Sequence, residues 1–363
     1  MFMKQSMVTF YRIAVLLFLL SLVGCSTEVI LNAPPKDIWV VYGVLREEAD
    51  VQYIRVSRGF LIEGDALAFA KENDLTGTGL QVKLEGAQRT YTATYVDSVV
   101  KEPVDGIFYG FTGLYKIETE GAAALETAVR YNLTITQGDD PNFELTASTR
   151  IPEVVDIERP RYTPGQGQTR CLEQMTIQAD TRVEFDAGAI PGAAFELRAY
   201  LDYTENGVPK QALYGPTDMF SESQGCTTQG GDNPYCYEIS NGVALIDLLS
   251  DIDPQFQNIY EYDLTNACTP RGQEENFSDD FRIEITGMVL ELKNYRLVND
   301  PKFLDLNTVR PEYTNIEAAD SSIITLGVLG STSRASILAR LSECAEYLLQ
   351  LNGTPKPETP CEL

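Results

Sequence analysis

Val129-Arg130-Tyr131-Asn132-Leu133-Thr134-Ile135-Thr136 puts Tyr131, Leu133 and Ile135 on one face of an extended chain and Arg130, Asn132, Thr134 and Thr136 on the other. Successive side chains of a strand point to opposite faces, so this period of two reads as a β-strand with one face in a core and one in water. The signature recurs at residues 39–45, 52–57, 80–84, 90–96 and 143–149, with turn residues between. Strands of this length and spacing predict a mainly β fold in which residues 37–157 form an Ig-like or transthyretin-like β-sandwich domain. Trp39, Tyr42 and Ile54 are read as its core residues, and Gly43, inside a strand, as the mark of a bulge.

A helix is expected at residues 65–72, where Asp65 can cap and Ala66-Leu67-Ala68-Phe69-Ala70 favour helix, covering a sheet edge. Ile151-Pro152 closes the first domain, and the Pro- and Gly-punctuated run Arg159-Pro160-Arg161-Tyr162-Thr163-Pro164-Gly165 puts a boundary near residue 158. The second domain, 158–332, is expected to be β-rich with long loops, its strands at 181–185, 194–203 and 281–286, the middle one ending on Asn206-Gly207. Residues 333–351 carry Ile337, Leu341, Cys344, Ala345, Leu348 and Leu351 on one helical stripe, with Gly353 and Pro355 as stop signals. Residues 333–363 are therefore read as a C-terminal α-helix and disulfide tail, the stripe packed on its own domain or offered to a partner helix.

Residues 13–25, Ile-Ala-Val-Leu-Leu-Phe-Leu-Leu-Ser-Leu-Val-Gly-Cys, follow Lys4 and Arg12 with no acidic residue before them, the charged front and apolar middle of a secretory leader. A bilayer span takes about 20 apolar residues, more than this run supplies. Leu22-Val23-Gly24-Cys25 resembles the lipobox of bacterial lipoproteins. That resemblance implies that residues 1–24 are a lipoprotein signal peptide and that Cys25 becomes the lipidated first residue, carrying palmitate-type chains; a short membrane anchor and a soluble secreted protein are the alternatives. Two acyl chains suffice for stable anchoring at roughly 0.8 kcal/mol per buried methylene. Residues 25–36, with Pro34-Pro35, form a short extended tether that holds the body close to the membrane.

Absences limit the chemistry. The chain has 53 acidic against 28 basic residues, a net charge of −25, which argues against nucleic acid and anionic lipid surfaces as partners. It has no histidine, which removes Ser-His-Asp and Cys-His nucleophiles, His-ligated zinc and imidazole pH switches. The acidic clusters Asp139-Asp140, Asp251 to Asp253 and Asp279-Asp280 lack EF-hand spacing and read as solvated loops, and no metal or other cofactor is assigned. A carboxylate-pair hydrolase needs only two Asp or Glu side chains, but no pair stands out.

With Cys25 given to lipid, six cysteines remain, Cys171, Cys226, Cys236, Cys268, Cys344 and Cys361, an even set read as disulfide candidates with 15 possible connectivities. Cys226 with Cys236 is the local pairing favoured by the loop-forming residues between them. That loop is also the most ligand-like stretch: Gln229, Asp232, Asn233, Tyr235 and Tyr237 offer the amides and tyrosines that sugar recognition uses, although a plain stapled surface loop is the commoner meaning.

Asp37-Ile38-Trp39-Val40-Val41-Tyr42-Gly43-Val44-Leu45, Val51-Gln52-Tyr53-Ile54-Arg55-Val56-Ser57-Arg58-Gly59-Phe60, the 130–135 and 146–152 segments, and Pro311-Glu312-Tyr313-Thr314-Asn315-Ile316 with Leu326-Gly327-Val328-Leu329-Gly330 resemble the lipoproteins grouped as domain of unknown function 4249. Glu317-Ala318-Ala319-Asp320 departs from the glycine-rich link usual there. The resemblance implies a mostly β, surface lipoprotein of Bacteroidota-type outer membranes, where such proteins work with TonB-dependent transporters, and it brings no catalytic residues. The expectation is a non-enzymatic, outer-membrane, lipid-anchored binding or accessory subunit, partnered by a TonB-dependent transporter or another outer-membrane protein, with a glycan-binding protein or carboxylate-dependent glycan hydrolase as the alternative.

Overall fold

The stretch around Tyr131 is a strand in the middle of a five-stranded antiparallel sheet, and the protein is mainly β. The computed structural model describes residues 38–59, 75–100, 111–160, 181–224 except 190 and 206, 281–299 and 313–338. It also describes the shorter pieces 68–69, 72–73, 162–164, 169–172, 174–175, 226, 234–239, 260–261, 268–270 and 340–341.

In chain order the strands are β1 (Ile38–Arg46), β2 (Val51–Arg58), β3 (Leu80–Glu85), β4 (Thr90–Thr92), β5 (Thr94–Val100), β6 (Phe111–Glu118), β7 (Arg130–Gln137), β8 (Asp140–Arg150), β9 (Asp156–Arg159), β10 (Tyr162–Pro164) and β11 (Thr169–Leu172). There follow β12 (Gln174–Met175), β13 (Thr181–Asp186), β14 (Ala194–Glu205), β15 (Val208–Tyr214), β16 (Pro234–Ile239), β17 (Tyr260–Glu261), β18 (Cys268–Pro270), β19 (Phe281–Met288), β20 (Glu317–Ala318), β21 (Ile324–Leu338) and β22 (Arg340–Leu341). Helix α1 (Leu290–Asn299) follows β19.

The frame is a nine-stranded sheet, β15-β14-β19-β21-β1-β2-β6-β5 with β17 beside β14. All its pairings are antiparallel except β1 with β21. Two smaller sheets lie on one face of it. The five-stranded sheet, β20-β8-β7-β3-β4, covers one end: Trp39, Val41, Leu45, Ile54, Val56, Tyr115 and Ile117 of the large sheet pack on Val82, Leu84, Tyr131, Leu133, Ile135, Phe143 and Leu145. The three-stranded sheet, β16-β13-β9, covers the other end, where Phe195, Leu197, Ala199, Leu201, Ile283 and Ile285 meet Val183, Phe185 and Ile239. Burial of each such side chain contributes roughly 1.5–3 kcal/mol against the entropy of ordering it, so each end has a sandwich core of its own.

Strand β21 joins the two cores. Leu329 enters the first, while Ala335 and Ile337, on the same face by even spacing, pack against the second. Between them the Ser331 hydroxyl donates to Arg150 O at 3.0 Å and the Ser333 hydroxyl to Glu153 O at 2.9 Å. These two buried serines hold the link by which the chain passes from β8 to β9, from one covering sheet to the next. The boundary expected near residue 158 falls inside β9, while β20, Ile316 and Leu329 return to the first covering sheet and its core and the large sheet runs through both ends, so that residues Asp37–Leu363 make one compact unit. At Gly327 the backbone has φ +102°, and a Cβ would collide with Val41 O. Only glycine fits there.

Three expectations need correction. Residues 333–338, read as the start of a C-terminal helix, complete β21, and Arg340–Leu341 is β22; the rest of that stripe lies outside the described residues. A separation of four, as from Ile337 to Leu341, is two strand repeats as well as about one helical turn, so the stripe did not discriminate between them. The helix is instead α1, with Glu291 in its first turn and Arg296 in its last, as the helix dipole favours. Gly43 is no bulge: it keeps regular register opposite Ile54, whose side chain fills the space a Cβ would need. Tyr42 is not core; counting by two from buried Trp39 places it on the opposite face. Of the helix expected at 65–72, Ala68, Phe69 and Glu72 are helical, and Asn73 N and Nδ2 donate back to Phe69 O at 3.1 and 2.8 Å.

Candidate functional site

The other face of the nine-stranded sheet is finished differently at its two ends. Over β14, β19 and β21, α1 lies on the sheet, with Leu292 buried against Ala194 and Met288 and so close to Gly330 that a Cβ there would sit 2.8 Å from the Leu292 Cβ. Three arginines of this end have carboxylate partners. Arg334 bridges Glu284 and Glu48, at 3.1 Å each, Arg296 pairs with Glu196 and Arg282 with Asp202. Glu196 and Glu284 are buried, so these pairings offset their desolvation.

Over β1, β2 and β6 the face is open. The outward residues Tyr42, Val44 and Arg46 of β1, Val51, Tyr53 and Arg55 of β2 and Leu114 of β6, with Gln52, line a concavity of about 260 Å³. Register sets Tyr42 opposite Arg55 and Tyr53 opposite Lys116. Tyr42 and Tyr53 are 43% and 44% exposed, high for large rings on the centre of a sheet. The Tyr42 ring meets Tyr295 of α1 at 5.8 Å, which ties the helix to a lining residue of the concavity, and burial pushes the Tyr295 hydroxyl above the usual tyrosine range. Lys116 is paired with Glu118 at 2.7 Å, whereas Arg46 and Arg55 have no ion pair among the described residues.

The floor is held rigidly. Gln52 is buried, and its Oε1 accepts from Arg46 N at 2.9 Å while its Nε2 donates to Arg46 O, Ala49 O and Thr119 Oγ1 at 2.8, 3.0 and 3.2 Å. Thr119 in turn donates to Ala49 O at 2.7 Å. A fully satisfied buried amide locks the β1–β2 hairpin and with it the base of Arg46. What the surface can do is bind: two arginine forks and two amphipathic rings over an apolar floor of Val44, Val51 and Leu114.

A second concavity, about 100 Å³, lies at the end of the five-stranded sheet between Arg89, Tyr91, Glu126 and Tyr131. Its groups serve the fold: the Tyr131 hydroxyl accepts from Glu126 N at 2.8 Å and Arg89 donates to Ala122 O. Among the described residues no group of three or more His, Cys, Asp or Glu is placed to hold a metal ion, and no helix is long and apolar enough to cross a membrane.

The loop reading fares unevenly. Cys226 and Cys236 form a disulfide with Cα atoms 5.9 Å apart. Tyr235 and Tyr237 pack on the second core: Tyr235 stacks on Phe185 at 5.4 Å and Tyr237 packs on Phe220 at 5.0 Å, leaving both half-buried. They stand opposite Phe185 and Val183 in the β13–β16 register, which turns them inward. Gln229, Asp232 and Asn233 lie outside the described residues, as do Cys25, Cys344 and Cys361. The backbone register of β11 with β18 sets Cys171 opposite Cys268. Tyr42, Arg46, Tyr53 and Arg55 were not expected as site residues, although counting by two from Trp39 and Ile54 would have put all four outside the core. No family model matches this chain, and neither a curated protein nor a solved structure matches it.

Proposed function

We propose that this chain is a non-enzymatic binding or accessory subunit, tethered by a lipidated Cys25 to the outer membrane and facing outward, where it serves a TonB-dependent transporter or another outer-membrane protein complex. The lipobox-like Leu22-Val23-Gly24-Cys25 and the resemblance to the domain-of-unknown-function-4249 lipoproteins support the address and the partner class. The observation that carries the binding role is the open Tyr42, Arg46, Tyr53 and Arg55 surface on a rigid sheet, while the rest of that face is closed by helix and ion pairs. The buried carboxylates also favour binding over hydrolysis. Glu184 is held by Arg182 and Arg159, Glu196 by Arg296 and Glu284 by Arg334, which suits structural anions better than a catalytic acid and base.

Two measurements test this. Cys25→Ala is expected to move the protein from the membrane to the soluble fraction, and retention in the membrane would overturn the tether. Affinity purification of the lipidated protein from detergent-solubilised envelopes at low salt is expected to retain an outer-membrane protein in near-stoichiometric amount; its absence removes the accessory-subunit reading.

A further inference from the structure

We infer that the concavity on β1, β2 and β6 is a binding site for a carboxylate-bearing sugar, an acidic unit of a glycan. The inference rests on the reading of the chain as a binding subunit and names the ligand of its open surface. Size comes first. Eight residues line about 260 Å³, whereas a stable protein–protein interface engages roughly 20–30 residues a side and small-molecule pockets begin near 300 Å³, so the space fits one or two sugar rings better than a protein.

Charge comes second. In a chain of net charge −25, Arg46 and Arg55 stand exposed and without an ion pair among the described residues, although Arg282, Arg296 and Arg334 on the same sheet face all have one. A guanidinium fork matches a carboxylate with two parallel hydrogen bonds, stronger and more directional than a point charge gives. Third is the apolar contact. Tyr42 and Tyr53 expose ring surface beside those forks over Val44, Val51 and Leu114, and the C–H face of a pyranose packs on an aromatic ring while its hydroxyls reach the phenol oxygens. Last, the hydrogen bonds of Gln52 hold the hairpin before any ligand arrives, which lowers the ordering cost of binding.

The test is titration calorimetry of the full lipidated chain in detergent with tetragalacturonate, a neutral dextran oligosaccharide of similar size and tetraglutamate. Tetragalacturonate is expected to bind at least tenfold more tightly than either control. Arg46→Gln with Arg55→Gln should weaken it at least tenfold, and Tyr53→Ala should weaken it several-fold, with the circular dichroism of each variant unchanged. Equal binding of dextran shows that the arginines do not select charge, and equal binding of tetraglutamate shows bare electrostatics; either overturns the inference, as does a double variant that binds like the parent. Retention of an outer-membrane partner is read separately, so failure here leaves the accessory-subunit reading standing, and loss of the partner leaves this site standing.

Discussion

The two ends of the nine-stranded sheet reach stability by different routes. At the β1, β2 and β6 end, regular alternation fills a core in which aliphatic residues are interspersed with Trp39, Tyr115, Tyr131 and Phe143, and the opposite face is left open to solvent. At the β14 and β19 end the core is built on an aromatic cluster of Phe185, Phe195, Phe220 and Tyr235, a disulfide ties the covering sheet, and the opposite face is closed by α1 and an ion-pair ladder. The contrast teaches that a face whose strands already have a sufficient core on the other side can leave arginines and tyrosines uncommitted, and these are the groups available for binding.

The largest effect should come from the strand both ends share. Gly327→Val forces a side chain onto Val41 O at a positive φ and is expected to cost more than about 3 kcal/mol, abolishing the folded state as read by denaturant unfolding. Next, Phe185→Ala should cost about 3–5 kcal/mol and Leu133→Ala about 2–5 kcal/mol, both fully buried residues in different cores. Because β21 pairs with β1 and with β19, both substitutions should shift one common transition; two separate transitions would break the picture of a shared sheet. Reduction of Cys226–Cys236, or Cys226→Ser with Cys236→Ser, removes a crosslink of sequence separation 10 and should cost about 2–3 kcal/mol by loop entropy, with hydrogen exchange rising in β13 and β16 first.

These strands were legible to different degrees, for physical reasons. A strand with one wet face announces itself, and β1, β2, β7 and β8 did. Strand β21 is buried on both faces from Gly327 to Ser333 and mixes small Gly and Ser residues with its Val, Leu and Thr, so it offers no polar–apolar alternation and its glycines weaken the strand pattern. Of the ligand residues expected around the 226–236 loop, Tyr235 and Tyr237 are half-buried against the second core, because exposure of a ring depends on which register its strand adopts. The open surface was written in the parity of β1 and β2, but the lack of carboxylate partners for Arg46 and Arg55 among the described residues needed the sheet order and the fold of α1.

The smallest effect concerns a single carboxyl. Hydrogen bonds from the Ser322 backbone, at 2.8 Å, and hydroxyl hold Asp320 below the usual aspartate range. A depressed folded value stabilises the protein above the unfolded value, and that contribution is lost as pH falls through the lower, folded one. Carboxyl-detected NMR should find Asp320 still ionised where an ordinary aspartate is half protonated, and an ordinary titration would contradict the hydrogen-bonded turn.

The most direct measurement sets one end of the sheet against the other. Arg46→Gln with Arg55→Gln, in the open end, should change unfolding free energy by no more than about 0.5 kcal/mol while weakening retention of tetragalacturonate at least tenfold. Arg334→Gln, in the closed end, strands buried Glu284 and should cost about 1–3 kcal/mol while leaving retention intact. Retention that survives the first pair of substitutions, or falls with the second alone, would contradict the assignment of the open face as the working surface.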